Sequence, residues 1–317
     1  MRLRALASVI SAVSTPLILT ACHHDTTAPS PTLVWSSVAS PTTRSLSAVW
    51  GSSASDVWAV GNLEAQGGTM LHYDGTSWSS IMSGTFLNAV WGTSTSDVWA
   101  VGCCGTVLLH YNGTTWSNLS GNSTQRLHGV WGTSASNVWT VGDGGTILHY
   151  DGTSWSTVQS GIPDDIRSVW GSSASNVWAV AVGGGILHYN GTSWSAVFGG
   201  TTPVLQSVWG TSASDAWAVG GVGGATILHY SGGAWTTSSA PVTLASAIGV
   251  WGTSSSNMWV VGDAVGSSFS IAHYDGTSWQ NVPGGSTQVL IGVWGSSSSD
   301  VWVVGNGGTI LHGTPAR

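Results

Sequence analysis

Three groups of residues could do chemistry in this sequence. Seven histidines, His72, His110, His149, His188, His229, His273 and His312, each follow an Asp or Asn by 12 to 16 residues: Asp56, Asp97, Asn137, Asn176, Asp215, Asn257 and Asp300. Eight residues break an otherwise uniform pattern: Glu64, Arg126, His128, Asp143, Asp164, Asp165, Arg167 and Asp263. Cysteines occur at Cys22 and at the adjacent pair Cys103-Cys104.

A histidine beside a carboxylate suits general-base catalysis or metal binding. Seven copies at one spacing argue against both, because either job needs side chains that converge on one point. On neighbouring packed sheets, equivalent positions stand about 10 Å or more apart, whereas a single ion holds its ligands at about 2 Å. The sequence thus predicts no metal and no cofactor. The repeated histidines are expected to form a structural hydrogen-bond network with nearby serines and with the Asp or Asn of their own unit.

The other parts of a catalytic apparatus are missing. Glu64 is the only glutamate, and the tyrosines (Tyr73, Tyr111, Tyr150, Tyr189, Tyr230 and Tyr274) all occupy one repeated strand position. There is no Gly-x-Ser-x-Gly elbow, phosphate loop or cysteine-rich zinc pattern. Arg44, Arg126 and Arg167 lie in three different loops ahead of Trp50, Trp131 and Trp170, so no arginine clamp is expected. A non-enzyme is predicted.

These groups must be positioned by a repeat. Trp50, Trp91, Trp131, Trp170, Trp209, Trp251 and Trp294 each stand in a Val-Trp-Gly motif and recur every 39 to 43 residues. Two further series run in parallel, from Trp58 to Trp302 and from Trp35 to Trp279, and together they account for all 21 tryptophans. Within one period, 47–50, 57–60, 69–73 and 77–81 have strand composition. The intervening Asp74-Gly75 and Asn112-Gly113 are tight-turn signals. Val57-Trp58-Ala59-Val60 is apolar on both faces, which requires cover on both sides. Seven such four-stranded antiparallel units predict an all-β, seven-bladed β-propeller. The last period ends before its fourth strand, and the segment 33–38 around Trp35 supplies it, so the N-terminal strand is expected to complete the last blade and close the ring. The tryptophans are read as packing between blades, with the Trp35 series, on the outermost strand, less buried.

The arrangement of His, Ser, Asp and Trp is similar to the tetrad of Trp-Asp repeat propellers, although the Gly-His and Trp-Asp dipeptides of that family are absent. His-Tyr-Asp-Gly-Thr-Ser-Trp resembles the Asp-box hairpin of sialidase-like propellers, with one residue fewer between Asp and Gly. Tyr150-Asp151-Gly152-Thr153-Ser154-Trp155 also resembles tectonin-type lectin repeats. Either of these last two resemblances covers 32–312 and concerns repeat style, which propellers with unrelated jobs share.

Residues 1–21 read as an export signal: Arg2 and Arg4, then an apolar stretch too short to span a bilayer. Leu19-Thr20-Ala21-Cys22 resembles the bacterial lipobox, which implies cleavage and lipidation of Cys22. His23 stands where an Asp would resemble the inner-membrane retention signal, which favours the outer membrane. The expected organisation is 1–21 signal peptide, 22–31 tether, 32–312 propeller and 313–317 tail. Membrane attachment is expected through the N-terminal lipid only. Cys103 and Cys104 would then be left in an exported chain, where a vicinal disulfide is one reading and two thiols or an intermolecular bridge are the others.

Composition narrows the partners. The chain has 317 residues, no lysine, six arginines against 13 acidic residues, and a net charge of −7. Removing 1–21 leaves four arginines and a charge of −9. No surface can neutralise a row of phosphates, so nucleic-acid binding is excluded.

In an up-and-down blade, the loops joining strands one to two and three to four lie at one end of the ring, and here they are nearly uniform. The loops at the other end vary, including 62–68, 103–105, 121–128, 161–167, 238–248 and 263–270. They hold the eight pattern-breaking residues, which are therefore the candidate ligand-binding set, since rigid scaffolds commonly carry function in such loops. Drift of unconstrained loops would look the same. The expected protein is a monomeric, lipid-anchored recognition propeller of the bacterial envelope that binds a glycan or an envelope protein. The alternatives are an assembly scaffold and a sialidase-like glycosidase.

Overall fold

The computed structural model describes residues 32–61, 68–83, 85–103, 107–119, 123–198, 204–239, 243–266, 270–283 and 286–316. Cys22, Glu64 and Cys104, and with them the export signal, the tether and one half of the cysteine pair, lie outside the described residues. Cys103 is buried just after the strand Asp97–Gly102.

Seven four-stranded antiparallel sheets form the ring. Blade 1 runs outward from the axis as Ala48–Ser53, Asp56–Gly61, Thr69–Tyr73 and Trp78–Ser83. Blades 2 to 6 repeat this order along the chain. Blade 7 consists of Leu290–Ser297, Asp300–Gly305, Ile310–Pro315 and, as its outermost strand, Leu33–Ser37. Leu33 pairs with Pro315 and Ser37 with Leu311, so the N-terminal strand closes the ring as the repeat offset predicts. The pairing carries the last strand to Pro315, past the boundary at 312 read from the repeat.

The inner strands are longer than the sequence reading allows. Most run eight residues, as in Leu87–Ser94, because register shifts such as that between Gly92 and Ser94 let the ladder continue through the Gly and Ser. In blade 6 the inner strand extends over Leu244–Ser254, with Leu244 opposite Ala264. Much of 238–248 and the start of 263–270 are thus strand rather than loop. Leu244 and Ala247 are buried, and covering those side chains outweighs the irregular look of the segment.

Tryptophan packs blade to blade. The second series is 0 to 3% exposed. Trp99 lies edge-on to Trp155 of the next blade at 5.6 Å between ring centroids and also meets Tyr150 at 5.1 Å. The same arrangement recurs around the ring, through Trp302 against Tyr73 and Trp78 where blade 7 meets blade 1. At the closure Trp259 meets Trp35, while the tyrosine position is Gly313. In the third series Trp35, Trp116, Trp235 and Trp279 are only half-buried, as an outer strand dictates.

The repeated histidines form the expected structural network. In every blade the histidine Nε2 lies 2.5 to 2.7 Å from the Asp or Asn Oδ1. Each imidazole stacks on the second-series tryptophan of its own blade, with centroids 3.9 to 4.2 Å apart. A Ser or Thr hydroxyl completes the set. It donates to the carboxylate, as Ser52 does to Asp56, or accepts from the amide, as Thr133 does from Asn137 Nδ2 at 2.8 Å.

A candidate ligand site at the tunnel mouth

On or just before each inner strand, at the ring axis, stands a variable residue three positions before its tryptophan. In chain order these are Ser47, Asn88, His128, Arg167, Gln206, Ile248 and Ile291, and all seven line one axial cavity of about 440 Å³. The following position is always small (Ala48, Ala89, Gly129, Ser168, Ser207, Gly249, Gly292), which leaves room on the axis. Five polar side chains therefore occupy one arc of the mouth and two isoleucines the other.

The pattern-breaking charges concentrate between blades 3 and 4. His128 and Arg167 stand near the starts of the inner strands Leu127–Ser134 and Ile166–Ser173. Asp143 opens the turn Asp143–Gly145 between the second and third strands of blade 3. Its backbone N–H donates to the Arg126 carbonyl at 3.0 Å, which fixes the two kinds of variable loop side by side. Asp165, at the entry to blade 4, accepts through Oδ1 from the Gly144 N–H at 3.0 Å and through Oδ2 from Arg167 Nη2 at 3.4 Å.

His128 is the hub. Its Nε2 lies 2.5 Å from Asp143 Oδ1 and 3.2 Å from Arg167 Nη1. One ring nitrogen either donates or accepts, and the shorter contact makes it the donor to Asp143. Arg167 Nη1 then has no acceptor at His128, and Arg167 Nε is buried without a partner among the described residues. The His128 side chain is only 9% exposed. Burial is the main cause that holds its pKa below the usual imidazole range; Arg167 and Arg126 push the same way, and Asp143 opposes them.

Oxygen and nitrogen ligand atoms of His128, Asp143 and Asp165 lie within 4.8 Å of one another, close enough to surround a metal ion. The guanidinium of Arg167 sits among them, however, and supplies positive charge where a cation would bind. These residues do not fit a metal centre.

The structure thus gathers Arg126, His128, Asp143, Asp165 and Arg167 at one place, with exposed Asp164 beside them. Asp263 is exposed on a strand of blade 6, opposite Ser246, and is not among the residues that line the cavity. Contrary to the sequence expectation, two arginines do converge: Arg126 and Arg167 both line the cavity, because every inter-blade loop delivers its chain to the axis. Arg44 turns elsewhere and donates to the Gly68 carbonyl at 3.0 Å. Sequence reasoning missed Ser47, Asn88, Gln206, Ile248 and Ile291. Their signal was the contrast between the changing position three before each tryptophan and the constant valine just before it.

No family model matches the chain, and no curated protein does. Solved structures do match. The propeller is similar to YCF48 from Cyanidioschyzon merolae, at 17% identity and a TM-score of 0.70, over 89% of this chain and 99% of that one. YCF48 bound to D1 peptide matches at the same identity and TM-score, over 90% and 99%. The WD40 β-propeller domain of Doa1 matches at 11% identity and a TM-score of 0.72, over 91% and 98%. At these identities the likeness is one of fold.

The opposite end of the ring is uniform. Asp151 Oδ1 accepts from the Thr153 and Ser154 N–H groups and from the Thr153 hydroxyl, led by the last, which lowers its pKa to about 2. Asp275 does the same with Thr277 and Ser278, again to about 2. In each, one carboxylate oxygen is engaged by its own turn.

Proposed function

We propose that this protein is a non-enzymatic recognition propeller of the bacterial envelope, anchored by lipid at Cys22, that holds a glycan or an envelope protein at the tunnel mouth on its variable face. The observation that carries this reading is the convergence of five pattern-breaking residues from two blades at one place, where Arg126, His128 and Arg167 line the axial cavity and Asp143 and Asp165 hold His128 and Arg167. The uniform face shows no comparable group among the described residues. The six tyrosines stand at blade interfaces, away from the mouth, so the site lacks the tyrosine nucleophile of a sialidase-like hydrolase. A propeller of similar fold holds a peptide, and this favours a protein ligand as the first to test.

The test compares wild type with the double variant Arg126→Gln, Arg167→Gln on a glycan array and in crosslinking to envelope extracts. Ligands that wild type retains and the variant loses support the mouth as the recognition surface. Equal retention by the two proteins refutes it.

A further inference from the structure

Resting on the reading of the mouth as the recognition surface, its chemistry points to a small-molecule ligand as well. We infer that the cavity takes the carboxylate of a small organic acid, held between the guanidinium groups of Arg126 and Arg167. The mature chain is acidic, lacks lysine and has only four arginines, yet two of them line this one cavity. Arg44 is engaged by the Gly68 carbonyl, whereas the exposed Arg126 makes no ion pair among the described residues. Arg167 has one long contact, to Asp165, and its Nη1 lacks an acceptor when His128 donates to Asp143. Guanidinium N–H groups left without acceptors match a planar carboxylate, which can accept two parallel N–H bonds.

The nearby acids do not already fill this role. Asp143 is held by His128, and Asp165 is tied to the Gly144 N–H as well as to Arg167. They fix the cluster at the rim and leave Arg126 unmatched. The same guanidinium charge excludes a cation as the occupant. A volume near 440 Å³ is that of a small-molecule site. Gln206 and Ser47 on one arc, with Ile248 and Ile291 on the other, suit a molecule with one hydroxyl- or amide-rich side and one apolar side.

The carboxylate could belong to an acidic sugar or to a free dicarboxylic acid, and the probes separate these sources. Thermal shift and calorimetry are run with glucuronate and galacturonate against glucose and galactose, and with succinate against succinamide. The expected result is that at least one acid raises the melting temperature while its neutral counterpart does not. Arg126→Gln, a change at an exposed residue that leaves the fold intact, lowers that acid's affinity about tenfold, the loss of one charge-assisted pair. Arg167→Lys, which keeps the charge but not the fork, also weakens it. Equal binding of acid and neutral counterpart, equal binding of inorganic phosphate, or unchanged affinity in Arg126→Gln overturns the inference while leaving the mouth as a recognition surface. Binding by none of the acids overturns it too, and the crosslinking comparison above still tests the mouth separately.

Discussion

The six-membered ring of Trp50 lies over Gly92 of the next blade, so close that a Cβ at Gly92 would stand 2.7 Å from Trp50 Cη2 and 2.4 Å from the Asp97 carbonyl oxygen. Trp91 covers Gly132, and Trp131 covers Gly171, in the same way. The Val-Trp-Gly motif is therefore an inter-blade device: the glycine is absent side-chain volume that the preceding blade's tryptophan fills. Gly92→Ala forces backbone and ring apart and is expected to destabilise by about 1–3 kcal/mol, the usual range for overpacking. Gly224→Ala, where nothing stands within 4 Å, is the control and should leave the melting temperature unchanged. Equal melting temperatures for the two variants would show that the interface yields.

Ring closure depends on a strand from the far end of the chain. Five residue pairs join Leu33–Ser37 to Ile310–Pro315, and Trp35 adds an edge-on contact to Trp259 at 5.5 Å. Deleting 32–40 bares the edge of the third strand of blade 7 and the ring of Trp259, a ready template for strand pairing between molecules. The deletion is expected to lower the melting temperature and to produce oligomers in light scattering. A monomeric product that melts cooperatively at the wild-type temperature would refute the closure.

The Asp or Asn of each tetrad can be exchanged but not removed. Asp97 Oδ1 accepts from His110 Nε2 at 2.7 Å and from Trp99 Nε1 at 3.2 Å, and Asp97 Oδ2 accepts from the Thr93 hydroxyl at 2.5 Å. Asparagine keeps Oδ1 as acceptor and turns the Thr93 hydroxyl from donor to acceptor, the arrangement already present at Asn137 with Thr133. Asp97→Asn should therefore cost less than about 1 kcal/mol, while Asp97→Ala strands three donors and should cost about 2–3 kcal/mol. Urea denaturation of both variants checks the ordering.

The ring, the blade count and its closure were legible in the sequence because they rest on period and burial, which repetition amplifies sevenfold. The site was legible only in part. The departures at His128, Asp143, Asp165 and Arg167 stood out against the repeat, but their meeting across two blades depends on where each loop reaches the axis. Ile248 was hidden because the segment 238–248 has an irregular loop-like composition, while burial of Leu244 and Ala247 draws it into a strand. Gln206 and Ser47 are ordinary polar residues whose position, rather than type, places them at the mouth.

Acid should destabilise the fold in two stages. Burial depresses the pKa of His149, His188 and His273, whose Asn partners carry no charge; nearby Asp151 and Asp275 partly offset this for the first and last. The unfolded chain therefore takes up protons on these histidines first, and stability begins to fall as pH drops below the ordinary value of 6.5. For Asp97, Asp215 and Asp300, burial raises the pKa, but hydrogen bonds from His and from Ser or Thr outweigh it and leave the pKa lowered. Their stabilisation is present above the ordinary 3.8 and is lost as pH falls below it. Melting temperatures measured across this range should decline in both windows. A flat profile down to the carboxylate window would contradict the burial of the three histidines.

The direction of the N-terminal strand makes a claim about orientation. Leu33 pairs with Pro315 at the end of the third strand of blade 7, and that strand starts beside the turn Asn306–Gly308 on the variable side. The chain therefore enters Leu33–Ser37 from the uniform face, where the turns of Asp151 and Asp275 lie. Ten residues separate Cys22 from Leu33 and reach at most about 35 Å when extended. With lipid on Cys22, the uniform face is held toward the bilayer, and Arg126, His128 and Arg167 point outward to any ligand. Single cysteines introduced at Thr192, exposed in the equivalent turn of blade 4, and at Asp164, in a background without Cys103 and Cys104, report this through labelling of the lipidated protein in vesicles. Faster labelling at Asp164→Cys than at Thr192→Cys is expected. The reverse order would turn the tunnel mouth toward the membrane and remove the main reason to expect a soluble ligand there.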